Sequence, residues 1–460
     1  MSETQNLSGP NEERSSDERG ESRSGKSRRD FLMHSGAVAA GAALFGTLPS
    51  CAATASERAI AQGIARTPVG SDGVVRIGVI GPGGMGTGHV HAFLNFAKKN
   101  LEKVEIVAVA EVEDTRRANA KRVCDEVQGA DSCTAYLDHR ELLERKDIHG
   151  VVIATPEHWH APMAEDAILA GKDVYVEKPM TLRLDDALRL RRVSRANPDQ
   201  LLQVGTQKMQ LPKYQAAQKM IAEGKIGKPT FSQTSYCRNS ANGEWLYYKI
   251  EDHWQPGKTL DWERWCGPLG TRAWDPHVYA RWRRYKDYST GIIGDLLVHE
   301  ITPMMMALDQ GWPTRVCATG GHYVDKKMEN HDQVNIEVQF EKGHTMIVAG
   351  STCNEHGLET TIRGHQGNIF LGGGNCVMRP ERLFADEIDE ETVACENIGN
   401  DQDAHRRNWL DCIRTRRKPL ADVELGTQVM VVVDLATRSM WEGKAFTFDP
   451  DSLRARPVGS

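Results

Sequence analysis

Val74-Val75-Arg76-Ile77-Gly78-Val79-Ile80 is an apolar run that leads without a break into Gly81-Pro82-Gly83-Gly84-Met85-Gly86 and then into a helical stretch, Thr87 to Lys99. No other feature constrains the chain as much. A buried strand, a G-x-G-x-x-G turn and a helix make up the dinucleotide-binding unit. Gly81 permits the tight turn, Gly83 lets the backbone approach a pyrophosphate, and Gly86 lets helix and strand pack closely. Gly84 and Met85 fall where the first helical N–H groups face the phosphate charge.

The next apolar run, Val104 to Val109, ends at Ala110-Glu111. Glu111 follows the last motif glycine at about the distance expected of a ribose-binding acid. A carboxylate there accepts from the 2′-hydroxyl of NAD and repels the 2′-phosphate of NADP. NAD is therefore the expected cofactor, while Arg116 and Arg117 leave NADP open. The alternation continues: strand 150–154, helix 161–170, strand 173–176, helix 184–196, strand 201–205. Strands alternating with helices predict a doubly wound parallel sheet, whose ligands lie beyond the carboxyl ends of its strands. Two segments fall at such ends. One is Thr155-Pro156-Glu157-His158-Trp159-His160, of which Thr155, Pro156, His158 and His160 are expected to face the cofactor. The other is Glu177-Lys178-Pro179, placed where the nicotinamide and its reaction partner belong. A metal at His158-x-His160 is not supported by the spacing, nor is one elsewhere, because the remaining histidines follow no ligand pattern.

Ahead of this unit, residues 1–26 are polar, and Ser27-Arg28-Arg29-Asp30-Phe31-Leu32 precedes a weakly apolar stretch ending at Leu48. Paired arginines before such a stretch resemble a twin-arginine export signal. The glycines in it and His34 make a poor membrane span, so no permanent span is expected. Ala53-Thr54-Ala55 is a cleavage candidate, and Cys51 offers a weaker lipid-anchor alternative. The predicted partners are thus the twin-arginine machinery and a periplasmic or otherwise exported location. The chain has 460 residues and a net charge of -6, which argues for two domains and gives no basis for nucleic-acid binding. Its 10 cysteines include no C-x-x-C and read mostly as buried free thiols. The expected organisation is a signal region 1–55, a linker 56–73, a dinucleotide domain 74–205, a substrate and oligomerisation domain 206–448, and a tail 449–460.

The pattern changes after Pro229. Gln333 to Phe340 alternates polar and apolar residues as a half-buried strand does. The runs 230–237, 345–349, 359–363 and 368–371 read as further strands, with helices at 405–414 and 427–441. Strands without long helices between them predict a large, mostly antiparallel sheet. Trp245, Trp254, Trp262, Trp265, Trp274 and Trp282 are packed into one short segment. Aromatic faces stack on sugar rings and neighbouring arginines bond hydroxyls, but most of the six are expected to be core. Tyr236, Arg281 and Trp282 are the substrate candidates.

G-P-G-G-M-G, A-T-P-E-H-W-H-A-P, G-K-D-V-Y-V-E-K-P and G-D-L-L-V-H together resemble the glucose–fructose oxidoreductase / inositol dehydrogenase / MocA (Gfo/Idh/MocA) family over roughly residues 74 to 445. The resemblance implies a Rossmann domain followed by an α/β domain with an open sheet, and homo-oligomers formed through that sheet's face. It implies NAD(P)-dependent oxidation or reduction of sugars, polyols or their derivatives. It places the lysine beside nicotinamide and substrate at Lys178, and the D-x-x-x-H pair at Asp295 and His299. Leu297 and Thr302 depart from the family's usual residues there. Asp295 and His299 at i and i+4 would share one helix face, with the acid orienting the ring. Removing a hydride from a carbinol carbon requires its hydroxyl proton to leave, a task for an imidazole or an amine. Two alternatives remain open at this level: an NAD-dependent glycosidase working through transient oxidation, and a non-catalytic sugar-binding module.

Overall fold

The computed structural model describes residues 65–459. The expected export signal and Cys51 lie outside the described residues. The first six strands, β1 Val75–Ile80, β2 Val104–Ala110, β3 Thr134–Tyr136, β4 Gly150–Ile153, β5 Asp173–Val176 and β6 Leu202–Val204, form a wholly parallel sheet in the order β3-β2-β1-β4-β5-β6. β4 and β5 are buried at every position because helices cover both faces. Those helices are α1 Gly84–Lys98, α2 Asp114–Gln128, α3 His139–Leu143, α4 Glu157–Leu169 and α5 Leu184–Ala196. The order of the strands reverses between β1 and β4, which opens the crevice where a dinucleotide binds. Gly86 sits at its floor. A Cβ there would lie 2.2 Å from the Gly81 carbonyl oxygen, so the glycine is what lets α1 start so close to β1.

α4 begins at Glu157, four residues before the expected start. Pro162 reads as a first-turn residue, yet it lies well inside the helix. His158 and His160 are consequently part of α4 and not of the preceding loop.

The chain continues through α6 Pro212–Ala222 into a second, ten-stranded sheet. Its strands are β7 Pro229–Cys237, β8 Pro313–Gly321, β9 Gln333–Phe340, β10 Thr345–Ser351, β11 Thr361–Gly364, β12 Gly367–Phe370, β13 Cys376–Pro380, β14 Glu391–Val393, β15 Phe446–Asp449 and β16 Arg454–Pro457. The order is β14-β13-β12-β11-β7-β10-β9-β8-β15-β16, and every pair is antiparallel except β7 with β10. β9 behaves as its alternation predicts: Val334, Ile336, Val338 and Phe340 are buried, while Asn335, Glu337 and Gln339 face outward. Between β7 and β8 lie the short helices α7 Trp262–Cys266 and α8 Pro276–Ala280, a π-helical turn at Ile293–Leu297, and α9 Val298–Leu308. α10 Asp401–Thr415 and α11 Val423–Glu442 follow β14.

Two expectations are corrected here. The segment after residue 448 is not a tail, because β15 and β16 form a hairpin that closes the sheet's edge. α10, expected to close the second domain, packs on the first sheet. Trp409, Leu410 and Ile413 join Val75, Ile77, Val79 and Phe93 in one core. The tryptophan segment is largely core, as expected. Trp254, Trp262 and Trp265 pack with Tyr279 and Tyr288 in a separate aromatic cluster. Among the described residues all nine cysteines are free thiols.

Candidate active site

A cavity of about 460 Å³ opens at the carboxyl ends of β1, β2 and β4. Gly81, Gly83, Gly84 and Met85 form one wall, Glu111 and Arg116 one end, and Thr155, His160, Glu177 and Lys178 the other. Gly83 caps α1 without any side-chain hydrogen bond, so the first helical N–H groups have no cap to satisfy them. A Cβ on Gly84 would meet no atom within 4 Å, and the buried Thr155 hydroxyl has no partner. An uncapped helix start, an open glycine wall and an orphaned hydroxyl fit a dinucleotide.

Glu111 ends β2. Its Oε1 accepts from the N–H groups of Val112 and Glu113 at 2.8 and 3.0 Å. Burial raises its pKa, against the opposing pull of Arg116 and the two amides. The Arg116 guanidinium lies 5.2 Å from the Tyr279 ring centre and donates to the Tyr279 hydroxyl at 3.0 Å. Arg117 does not line the cavity; it donates to the Glu111 carbonyl at 2.7 Å. An acid and a planar cation at this end suit a ribose diol.

The opposite end is built on the turn after β5. His160 faces the Pro179 carbonyl with Nδ1 at 2.7 Å and the Thr155 carbonyl with Nε2 at 2.9 Å; burial keeps the ring neutral, so it donates to one of the two. His89, on α1, contacts Glu177 Oε1 through Nε2 at 2.8 Å, and Arg406 of α10 donates to His89 Nδ1 at 2.9 Å. That donor fixes the tautomer: Nδ1 accepts, so Nε2–H donates to Glu177. Burial opposes charge on Glu177, but the His89 hydrogen bond and the nearby Lys178 ammonium outweigh it, bringing its pKa down to about 2. Next in the chain, Lys178 Nζ donates to the Asp295 carbonyl and to Asp295 Oδ1, both at 2.8 Å. Arg283 Nε donates to the same oxygen at 2.9 Å. Burial works against the Asp295 anion, yet these two cations hold its carboxyl far below the usual range.

His299 follows one turn later. Burial and the Lys178 charge push its pKa down to about 3, so the ring is neutral. Its Nδ1 is buried without a partner, and its ring centre lies 6.4 Å from that of Tyr236. The expected Asp295–His299 hydrogen bond is absent. The π-helical turn carries Asp295, and its carboxylate faces Lys178 and Arg283 instead of the imidazole.

The remaining candidates divide. Pro156 and Trp282 line the cavity. His158 does not; its Nε2 contacts the Trp265 carbonyl at 2.8 Å, and burial lowers its pKa to about 4. Its role is to pin α4 to the aromatic cluster. Arg281 also stays outside and donates to the Tyr248 carbonyl at 3.0 Å. Arg283, the arginine on the other side of Trp282, reaches the site in its place. Gly86 packs beneath the glycine wall, and Tyr236 stands beside His299. Missed entirely were His89, three residues beyond the glycine motif, and Arg406, which no local pattern marks. Because the Gly86 Cβ contact is with backbone, Gly86→Val is expected to weaken NAD binding at least a hundredfold and to lower the melting temperature. Titration of intrinsic fluorescence with NAD, alongside a thermal scan, reads both.

Fold and site together give a Rossmann crevice that suits NAD, with Lys178 at one end of it and Asp295 and the neutral His299 adjoining that lysine. Residues 75–206 match the Gfo/Idh/MocA "Oxidoreductase family, NAD-binding Rossmann fold", and residues 218–448 match its "C-terminal alpha/beta domain". The chain belongs to the Gfo/Idh/MocA oxidoreductase family. Glycosyl hydrolase family 109 protein 2 of Shewanella sp. (strain ANA-3) is 38% identical over 169 residues, 35% of this chain and 36% of that protein. An alpha-N-acetylgalactosaminidase of Shewanella oneidensis is 36% identical over 173 residues, again 35% of this chain and 36% of that protein. The matched region thus spans about a third of the length of these relatives. Glycosyl hydrolase family 109 protein 1 of Shewanella sp. (strain ANA-3) matches further, at 26% identity over 84% of this chain and 79% of its own. Among solved structures, levoglucosan dehydrogenase in complex with NADH is similar in fold, with TM-score 0.60 at 20% identity, covering 81% of this chain and 98% of that one. Aldose-aldose oxidoreductase from Caulobacter crescentus gives TM-score 0.60 at 16% identity, covering 82% and 100%.

Proposed function

We propose that this chain is an NAD-dependent oxidoreductase acting on a hydroxyl-bearing carbon of a sugar, polyol or glycoside. The observation that carries the reading is the Lys178–Asp295–Arg283 cluster beside a neutral His299, at the end of the dinucleotide cavity. When bound, the nicotinamide supplies the acceptor for the electron pair leaving the carbinol carbon. His299, neutral and with Nδ1 unpartnered, takes the hydroxyl proton. Lys178 stabilises the developing alkoxide by donating to it. Asp295, itself held by Arg283, keeps the lysine in place, and Glu177 fixes the turn that carries it.

The three Shewanella relatives favour a second reading that shares this first step. Oxidising one ring hydroxyl acidifies the neighbouring C–H, which permits elimination of the glycosidic bond; water then adds across the resulting enone, and returning the hydride to the carbonyl restores the free sugar with no net redox change. Incubation with NAD and a panel of sugars and aryl glycosides, followed by absorbance and product mass spectrometry, separates the two. Accumulating NADH supports net dehydrogenation. Aglycone release without NADH supports cleavage. Neither product from any compound overturns both.

The same proposal includes export, since the Arg28-Arg29 leader suits a route that carries folded, cofactor-loaded proteins. The outward face of the ten-stranded sheet, with Asn335, Glu337 and Gln339 exposed on β9, is the surface through which we expect homo-oligomers. Light scattering of the purified protein tests it.

The neutral His299 also has a consequence for stability. The unfolded ring takes a proton near pH 6.5 and the folded ring only near pH 3, so between these values the unfolded state binds more protons. Native stability is therefore expected to fall on acidification below pH 6.5, by roughly 1.4 kcal/mol per pH unit from this group. Urea denaturation of the protein and of His299→Gln at pH 7 and pH 5 checks this. An equal loss in both proteins contradicts it.

A further inference from the structure

Beyond the catalytic end of the cavity the chain displays two adjacent aromatic rings that the reaction does not use. Tyr247 and Tyr248 are 60% and 37% exposed, with ring centres 4.8 Å apart and tilted by 44°. Large exposed aromatics on a fixed loop are unusual unless something covers them. This loop is fixed. Trp245, two residues earlier, is buried at 1% exposure with φ 61°. Glu244 is fully buried and accepts from Arg238 Nε at 3.0 Å, from the Ser240 hydroxyl and from the Tyr247 hydroxyl, the last at 3.1 Å. Its carbonyl accepts from Arg284 at 2.6 Å. A buried carboxylate thus anchors Tyr247 by its hydroxyl, and the Tyr248 ring packs beside it.

The tyrosines are continuous with the site. Tyr248 and Trp282 line the cavity. The Arg283 guanidinium lies 4.2 Å from the Trp282 ring and 5.9 Å from the Tyr248 ring, while its Nε reaches Asp295, the partner of Lys178. The adenosine end, at Glu111 and Arg116, lies at the other end of the cavity, so these rings belong to the substrate's side.

We infer that Tyr247 and Tyr248 form a shelf for a second sugar ring, which makes the substrate a saccharide of two or more rings. The inference rests on the proposed action at a sugar hydroxyl. A pyranose presents a C–H face that packs flat on an aromatic ring, with its hydroxyls free for the Tyr247 hydroxyl and the Arg281 and Arg283 side chains. The reacting ring sits at Lys178 and His299. The adjoining ring leaves the cavity past Tyr248 and lies on Tyr247.

The test compares methyl hexosides with the matching disaccharides, using the wild-type protein, Tyr247→Ala and Tyr247→Phe. Tyr247 is exposed and does not line the cavity, so these variants fold. Tyr247→Ala is expected to raise KM for disaccharides about tenfold, to leave methyl hexosides within about twofold, and Tyr247→Phe to restore most of the loss. Equal effects on both substrate classes, or none on either, overturn the shelf. If the wild type converts no compound, the oxidoreductase reading fails separately. The shelf is then judged by fluorescence titration with the same disaccharides. Quenching that is weakened about tenfold in Tyr247→Ala sustains it, and absence of quenching overturns it. A dimer that Tyr247→Ala dissociates in light scattering, without any saccharide effect, assigns the rings to a second copy of the chain and also overturns it.

Discussion

Lys178→Met is expected to lower kcat about a thousandfold while changing NAD affinity only severalfold. A single donor aimed at a developing oxyanion accounts for about a hundred- to a thousandfold, and correct placement of the proton acceptor adds to this. Methionine keeps much of the stem's volume but removes both bonds to Asp295. The wall that would hold the dinucleotide, Gly81 to Met85, is untouched. Steady-state kinetics on whichever substrate the product screen identifies, with NAD binding followed by fluorescence, separates the two effects. A kcat within tenfold of wild type would show that the lysine is a structural cation and that the developing oxyanion is stabilised elsewhere.

Asp295→Leu is expected to cost about 3–5 kcal/mol of stability, because it leaves two cations buried against each other with no anion between them. The Lys178 and Asp295 side chains are 8% and 10% exposed, and Arg283 donates to the same carboxylate oxygen. The pH dependence has a definite sign. The folded carboxyl is depressed below its unfolded value, so its contribution is complete above about pH 4 and disappears as pH falls further. Urea denaturation at pH 7 reads the loss. Combining Asp295→Leu with Lys178→Met should recover part of it, since one stranded charge is then gone. A loss below 1 kcal/mol in the single variant would mean that solvent already screens the cluster.

How far the sequence could be read depended on how local each signal was. Gly81 to Gly86 announced themselves because a strand, a turn and a helix had to meet there, and a few residues carry that demand. Glu111 and Lys178 could be read because strand ends in a parallel sheet have a known relation to the ligand. β9 followed directly from its alternation. Asp295 lies against Lys178 and Arg283, partners that its spacing does not give it. Helical spacing pointed it at His299, whereas a π-helical turn shifts the geometry and two cations compete for the same oxygen. Arg281 and Arg283 flank one tryptophan and look alike on paper; only the local backbone decides which of them reaches the cavity. α4 begins four residues before the expected 161, and His158 goes with it into the helix. His89 and Arg406 were out of reach, because a contact spanning 317 residues leaves no trace in spacing.

That last contact bears on how the molecule is made. α10 fills the underside of the first sheet with Trp409 and sends Arg406 to the histidine that steadies the lysine turn. A nascent chain that has emerged only through β6 therefore lacks part of its own foundation, and the dinucleotide crevice matures only after nearly the whole polypeptide has left the ribosome. Loading with NAD is consequently a late event in biosynthesis. A truncation that removes α10 should yield an aggregation-prone product, not a smaller nucleotide-binding protein.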